Sequence, residues 1–158
     1  QVGSAFKPFL YALAMQEGEF SPCTKVPNVP VSFDMPDGTQ WTPGNAGSAK
    51  DEREGEMITL KWALAMSVNY ISAYLMKRYS PTAVVNIVRK MGIISDIPAV
   101  YSLCLGTCEL SVYEMTGAYS TFANKGVYEF SKANIFEISI LKAKGKNKLY
   151  HTSCYQHH

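Results

Sequence analysis

The chain has 158 residues, of which 47% are hydrophobic and 18% charged, a balance that excludes a disordered polymer and supplies enough apolar side chains for one globular core. A formal net charge of +2 is too small to argue for nucleic acid or an acidic membrane surface as a partner. Four cysteines in this length do not make a disulfide scaffold, and no apolar run is long enough to span a bilayer.

In chain order, a helix is predicted from about Ser4 to Gln16, stopped by Glu17-Gly18-Glu19 and a turn at Ser21-Pro22. Prolines 27, 30, 36 and 43 then impose extended segments and turns up to Lys50, with Val29 to Phe33 as a short edge strand. Ala46 to Gly55, small and charged, reads as an exposed loop. Thr59 to Met66 is predicted helical, with Leu60, Ala63 and Leu64 on one side. After Ser67-Val68-Asn69, a third helix covers Tyr70 to Arg78. A fourth covers Pro81 to Met91, with Pro in the first turn, Val84, Val85, Ile87 and Val88 inside, and Gly92 as the stop. Residues 93 to 110 read mostly as loop. Their Cys104 and Cys108 lack a zinc-type spacing and serve as small apolar side chains. Ser111 to Asn124 is a fifth helix, with Glu114 at the capping-box distance from Ser111. The alternation of Ile135 to Leu141 and the turn at Lys144 to Asn147 predict a hairpin closing with Lys148 to Thr152. No internal repeat or low-complexity tract is present.

Chemistry is concentrated in two places. On a helix that starts at Ser4, Lys7 lies one turn on, and residues three apart share a face. A serine hydroxyl is a poor nucleophile without a base, and a lysine whose pKa is lowered by burial can act as one. The first turn of a helix also favours developing negative charge. The second place is Ser67-Val68-Asn69, at a break between helices. There a second hydroxyl can relay a proton, and an amide offers both a donor and an acceptor. Each pattern is short: by itself the first also fits a helix cap with a solvated lysine, and the second an ordinary helix break with a cap.

Taken together and in order, the segments resemble one family. Gln1-Val2-Gly3-Ser4-Ala5-Phe6-Lys7-Pro8-Phe9 is similar to the first motif of the penicillin-binding transpeptidase domain, especially that of class A, bifunctional penicillin-binding proteins. Pro30-Val31-Ser32-Phe33, Asp37-Gly38-Thr39 and Trp41-Thr42-Pro43-Gly44-Asn45 resemble its next segments. Thr59 to Asn69 resembles its second motif with the preceding helix. Ser102 to Ser111 and Glu114 to Tyr128 resemble later structural segments. The resemblance covers about residues 1 to 128, giving a partial transpeptidase domain there and a hairpin or divergent segment over 129–158.

The resemblance implies an α+β fold of the serine β-lactamase and transpeptidase type, with helices beside an antiparallel sheet and the site between them. The implied activity is peptidoglycan D,D-transpeptidation through a serine acyl-enzyme. Ser4 is the implied nucleophile, Lys7 its base, Ser67 a proton relay and Asn69 a substrate-binding amide. The implied partners are a stem peptide ending in D-Ala-D-Ala, β-lactams as covalent inhibitors, and the remainder of a parent protein with a glycosyltransferase domain and a membrane anchor. That parent is expected in the bacterial cytoplasmic membrane with this domain on the outer, periplasmic side. No cofactor, metal or nucleic acid is implied. A β-lactamase or D,D-carboxypeptidase could use the same dyad with water as acceptor, and a penicilloyl-binding or inert module is a third reading.

The sequence departs from the family in two respects. After Gly126 no Lys is followed by Thr-Gly or Ser-Gly, so the third family motif, which binds the substrate carboxylate and supplies an oxyanion donor, is absent. Losing one such donor costs on the order of a hundredfold in rate. The strands that precede the nucleophile in the family are missing too, and the chain opens without Met inside a motif, so it is expected to be part of a longer protein. Helix faces of this size beside a single hairpin predict an exposed apolar patch. His151, Cys154, His157 and His158 have no upstream shell and read as a loose tail instead of a metal site, and lysines 142, 144, 146 and 148 read as one solvated strand face.

Overall fold

The computed structural model describes residues 1–45 and 53–128. The predicted closing hairpin, the lysine face, the His/Cys tail, the second predicted domain and most of the loop after Asn45 therefore lie outside the described residues. Packing divides the chain into two compact units, one formed by residues 1–89 and 95–110, the other by 90–94 and the chain from 111 onward.

The first unit is built around a buried helix. Its opening differs from the single helix expected from Ser4: Gly3–Phe6 is a 3-10 turn, and α1 proper runs from Lys7 to Gln16. Pro8 explains the joint, because proline suits the first turn of an α-helix and cannot donate a bond further inside one. Phe6, Phe9, Leu10 and Ala14 are fully buried and Tyr11 nearly so. A helix covered nearly all round is a core helix, and each large apolar side chain contributes about 1.5–3 kcal/mol by burial.

Two short antiparallel strand pairs belong to the same unit. Strand β1 (Lys25–Pro27) pairs with β4 (Met57–Thr59), setting the inward-facing Val26 against Ile58. Strands β2 (Phe33–Asp34) and β3 (Gln40–Trp41) form a second pair, closed by a turn in which the Asp37 carboxylate accepts bonds from both the backbone N–H and the hydroxyl of Thr39. The edge strand expected over Val29 to Phe33 is reduced to its last residue. The β1 ladder already ends at Asn28, whose N–H bonds Glu56 O, and Pro30 has no N–H with which to resume it.

Strand β4 runs directly into α2 (Leu60–Ala65), whose cap is the Thr59 hydroxyl accepting the Trp62 N–H. Helix α3 (Asn69–Tyr79) packs on α1, and α4 (Pro81–Lys90) follows with Val84, Ile87 and Val88 buried and Val85 half-buried. The expected loop over 93–110 contains a second 3-10 turn, Tyr101–Leu105, packed on α3, α1 and the opening turn. Cys104 and Cys108 are buried free thiols.

In the second unit, α5 (Val112–Ala123) begins with the expected capping box, Ser111 Oγ accepting the Glu114 N–H at 3.2 Å while the Glu114 carboxylate accepts the Ser111 N–H at 3.3 Å. Among the described residues of this unit, Ile94, Val112, Tyr113, Tyr119, Val127 and Tyr128 are exposed. Helices with small antiparallel strand pairs make the fold α+β and incomplete as a sheet. Among the described residues no helix is long and apolar enough to cross a membrane.

Candidate active site

The opening turn keeps Ser4 and Lys7 on one face, since residues three apart eclipse one another in a 3-10 helix. The Lys7 N–H bonds Ser4 O and fixes the joint. Ser4 is exposed, whereas Lys7 is 1% exposed.

The other half of the site is the α2–α3 junction. Helix α2 ends in a Schellman arrangement: the Val68 N–H reaches Ala63 O at 2.9 Å, and the Ser67 N–H reaches Leu64 O at 3.1 Å. This ending needs a left-handed residue, commonly glycine, yet here it is Ser67 with φ +56°. A side chain in that conformation costs about 1–2 kcal/mol. In return, Ser67 presents both its carbonyl and its hydroxyl to the lysine.

Lys7 Nζ donates to Ser67 O at 2.6 Å, Ser67 Oγ at 2.9 Å and Asn69 Oδ1 at 2.7 Å. An ammonium has three N–H donors and no acceptor, so the resting group is satisfied, and none of its bonds goes to Ser4 Oγ. Burial nevertheless lowers the Lys7 pKa from 10.5 to about 8, against a weaker upward pull from Cys104. The Cys104 thiol, pushed up by its own burial to about 12, is neutral in the range where Lys7 titrates. On deprotonation the amine keeps two N–H donors and gains a lone pair, which releases one acceptor and creates a base next to Ser4.

The structure thus brings Lys7, Ser67 and Asn69 into direct contact, with Ser4 one 3-10 turn away. Asn69 is less free than a substrate-binding amide would be, because Oδ1 is held by Lys7 and Nδ2 donates to Gly44 O at 2.7 Å. One Nδ2 hydrogen remains for another acceptor. Two features carried no role in the sequence reading. Gly44 and Asn45 clasp the start of α3, the Asn45 Oδ1 accepting the N–H of Asn69 at 2.8 Å. Gly106, at φ +73°, lies so close to the opening turn that an added Cβ would stand 1.9 Å from Gly3 O. A valine where a helix cap should be, at position 68, was the available sign of the first; the glycine after Leu105 was the sign of the second. Among the described residues no group of three or more His, Cys, Asp or Glu could hold a metal.

The sequence matches the profile of the penicillin-binding protein transpeptidase domain over residues 1–131. It is 36% identical over 129 residues to penicillin-binding protein 1A of Neisseria meningitidis serogroup A, covering 80% of this chain and 16% of that protein. Identity to penicillin-binding protein 1A of Aquifex aeolicus is 34% over 130 residues, covering 80% of this chain and 17% of the relative. The chain therefore spans about a sixth of the length of these relatives. The crystal structure of penicillin-binding protein 1A from Haemophilus influenzae superposes with a TM-score of 0.68 at 28% identity, covering 77% of this chain and 18% of that one. The transpeptidase domain of penicillin-binding protein 3 from Burkholderia pseudomallei shares the fold, with a TM-score of 0.57 at 18% identity over 83% of this chain and 45% of that chain. By profile, relatives and fold together, the chain belongs to the penicillin-binding protein transpeptidase family.

Proposed function

We propose that this chain carries the nucleophile half of a peptidoglycan D,D-transpeptidase site, working through a serine acyl-enzyme. The observation that carries the reading is the buried Lys7, its pKa lowered to about 8, joined to Ser67 and Asn69 and set one turn from the exposed Ser4. The neutral Lys7 amine takes the Ser4 Oγ proton as the oxygen attacks the carbonyl carbon of the penultimate D-Ala. The peptide C–N bond then breaks, and the proton passes from Lys7 through Ser67 Oγ to the departing D-Ala amine. The resulting ester is resolved by an acceptor amine, whose proton returns along the same path to Ser4. Asn69 holds Lys7 in place and offers its remaining amide hydrogen to a substrate carbonyl.

By the same route a β-lactam acylates Ser4, with its ring nitrogen as leaving group. In the whole protein, this segment would stand on the outer face of a bacterial cytoplasmic membrane beside a glycosyltransferase domain, a reading supported by the relatives named penicillin-binding protein 1A. The test is the intact mass of the chain after exposure to a penicillin. The expected result is one penicilloyl adduct, lost in Ser4→Ala and in Lys7→Met with the circular dichroism spectrum preserved. An adduct that persists in Ser4→Ala would refute the assignment of the nucleophile.

A further inference from the structure

A helix normally begins at a residue whose own side chain accepts one of the first free N–H groups. Helix α3 does not: its N-cap position is Val68, which makes no side-chain cap bond. The acceptor comes instead from a residue 24 positions before Asn69. Asn45 Oδ1 accepts the Asn69 N–H at 2.8 Å and the Tyr70 N–H at 3.3 Å. Immediately before it, Gly44 O accepts Asn69 Nδ2 at 2.7 Å, and the preceding Pro43 is buried. Gly44 O therefore also settles which way the Asn69 amide faces. Turned over, Oδ1 would oppose the Gly44 carbonyl and Nδ2 would oppose the Lys7 ammonium, two contacts of like polarity.

We propose that Gly44 and Asn45 are the positioning element of this site: Asn45 caps α3 from outside the helix, Gly44 orients the Asn69 amide, and together they hold Asn69 Oδ1 on Lys7 for proton exchange with Ser4. The proposal rests on the acyl-transfer reading for its catalytic consequence, but not for its geometry. Valine at 68 is compatible with a stable helix start only because the cap arrives from elsewhere, and this ties the start of α3 to the segment at 43–45. Loss of the Asn45 acceptor frees two N–H groups and loosens the backbone that carries Asn69. Lys7 then loses a fixed acceptor that favours its charged form, and its pKa moves further down. Among the described residues, Cys104 on the 101–105 turn is the titratable group coupled to Lys7, and because burial keeps its thiol neutral over this range it adds no charge to the profile.

The test compares the full chain with Asn45→Ala and Asn45→Asp, reading penicillin acylation against pH and amide hydrogen exchange at Asn69 and Tyr70. In the unsubstituted chain these two first-turn amides are expected to be protected, and fast exchange there overturns the proposal without any variant. Asn45→Ala is expected to slow acylation about tenfold or more, in keeping with the cost of small misplacements, and to move the midpoint of the pH profile to lower pH. Asn45→Asp keeps the acceptor and suits a helix start, so at about pH 9, where Lys7 is mostly neutral, its rate should lie within about threefold of the parent. Its midpoint should rise through the added carboxylate. A cap of stability alone would lower the folded fraction at every pH and leave the midpoint unmoved; that result, or a rate within about twofold of the parent in Asn45→Ala, overturns the proposal. If Asn45→Ala does not fold, the exchange data and the Asn45→Asp profile decide. If the parent chain gives no Ser4 adduct, the acyl-transfer reading fails, while amide exchange and a 15N titration of Lys7 Nζ still accept or reject the positioning role.

Discussion

Ser67 allows the cost of a functional backbone conformation to be separated from the value of the side chain. Its φ of +56° is unfavourable for any residue with a Cβ, and its hydroxyl accepts a bond from Lys7 at 2.9 Å. Ser67→Ala and Ser67→Gly remove the same hydroxyl and leave the same carbonyl on Lys7, so the loss at the lysine cancels between them. What remains is the left-handed conformation. Alanine bears its cost of about 1–2 kcal/mol, and glycine escapes it but loses about 0.5–1 kcal/mol more backbone entropy on folding. Ser67→Gly should therefore be the more stable variant by roughly 0.5–1 kcal/mol, or roughly 2–3 °C in Tm for a chain of this size. Thermal and urea unfolding followed by circular dichroism read the difference. Both variants should acylate about a hundredfold more slowly than the parent, the size of a lost proton relay. Ser67→Ala equal to or more stable than Ser67→Gly would show that the left-handed ending of α2 is not present in solution. Acylation by Ser67→Gly within about twofold of the parent would remove the hydroxyl from the proton path.

Gly106→Ala should displace the opening turn, because the new Cβ would stand 1.9 Å from Gly3 O and both partners are backbone; acylation is expected to fall about tenfold or more with faster exchange at the Val2 and Gly3 amides, and an unchanged rate would mean that the 101–108 segment does not position Ser4. Acylation by the parent chain should climb about tenfold per pH unit below the Lys7 pKa and level off above about 8, since the active form is the neutral amine and its fraction rises with pH; a flat profile from about pH 6 to about pH 9 would rule out Lys7 as the base. Lys7→Arg should abolish the adduct at every pH in that range, because guanidinium stays charged. Iodoacetamide at about pH 8 should leave Cys104 and Cys108 unlabelled in the folded chain and label both in urea, as burial pushes both thiols up and excludes the reagent; rapid labelling by mass spectrometry under native conditions would contradict that burial.

Most of the helices could be read from the sequence because their signals are local. Pro81 and Gly92 bracket α4, and Ser111 with Glu114 announces α5 by a spacing that only a helix turns into a reciprocal bond. The Ser4–Lys7 spacing was legible for the same reason and survives the change from α to 3-10, since three residues close a turn in either. What could not be read was long-range. The approach of Lys7 to Ser67, which the family resemblance implied but no local pattern shows, spans 60 residues and depends on α1 packing against α2 and α3. The reach of Asn45 to α3 spans 24 residues. The expected strand at Val29 to Phe33 failed because pairing is decided by a partner: β1 was claimed by β4 through Val26 and Ile58, leaving β2 only the length its hairpin turn could hold.

The site stands where regular structure is interrupted twice, and each interruption has a physical use. Inside a continuous α-helix from Ser4, the serine would be one more surface residue of a buried rod. The 3-10 turn ends that rod at Lys7 and leaves Ser4 exposed beside it. Inside a continuous helix through 60–79, the carbonyl of Ser67 would bond an N–H four residues on and could not meet a lysine. The left-handed ending of α2 turns that carbonyl out of the helix, and the lysine takes the place of the missing N–H. Lys7 is thus bound in part by a backbone group that the fold has already released, and this explains how a cation at 1% exposure is accommodated without a carboxylate partner among the described residues. An acidic partner would have raised the lysine pKa and held it charged. Three uncharged acceptors satisfy the ammonium while burial still pulls its pKa to about 8, leaving a group that is charged and anchored at rest and within reach of deprotonation near neutral pH.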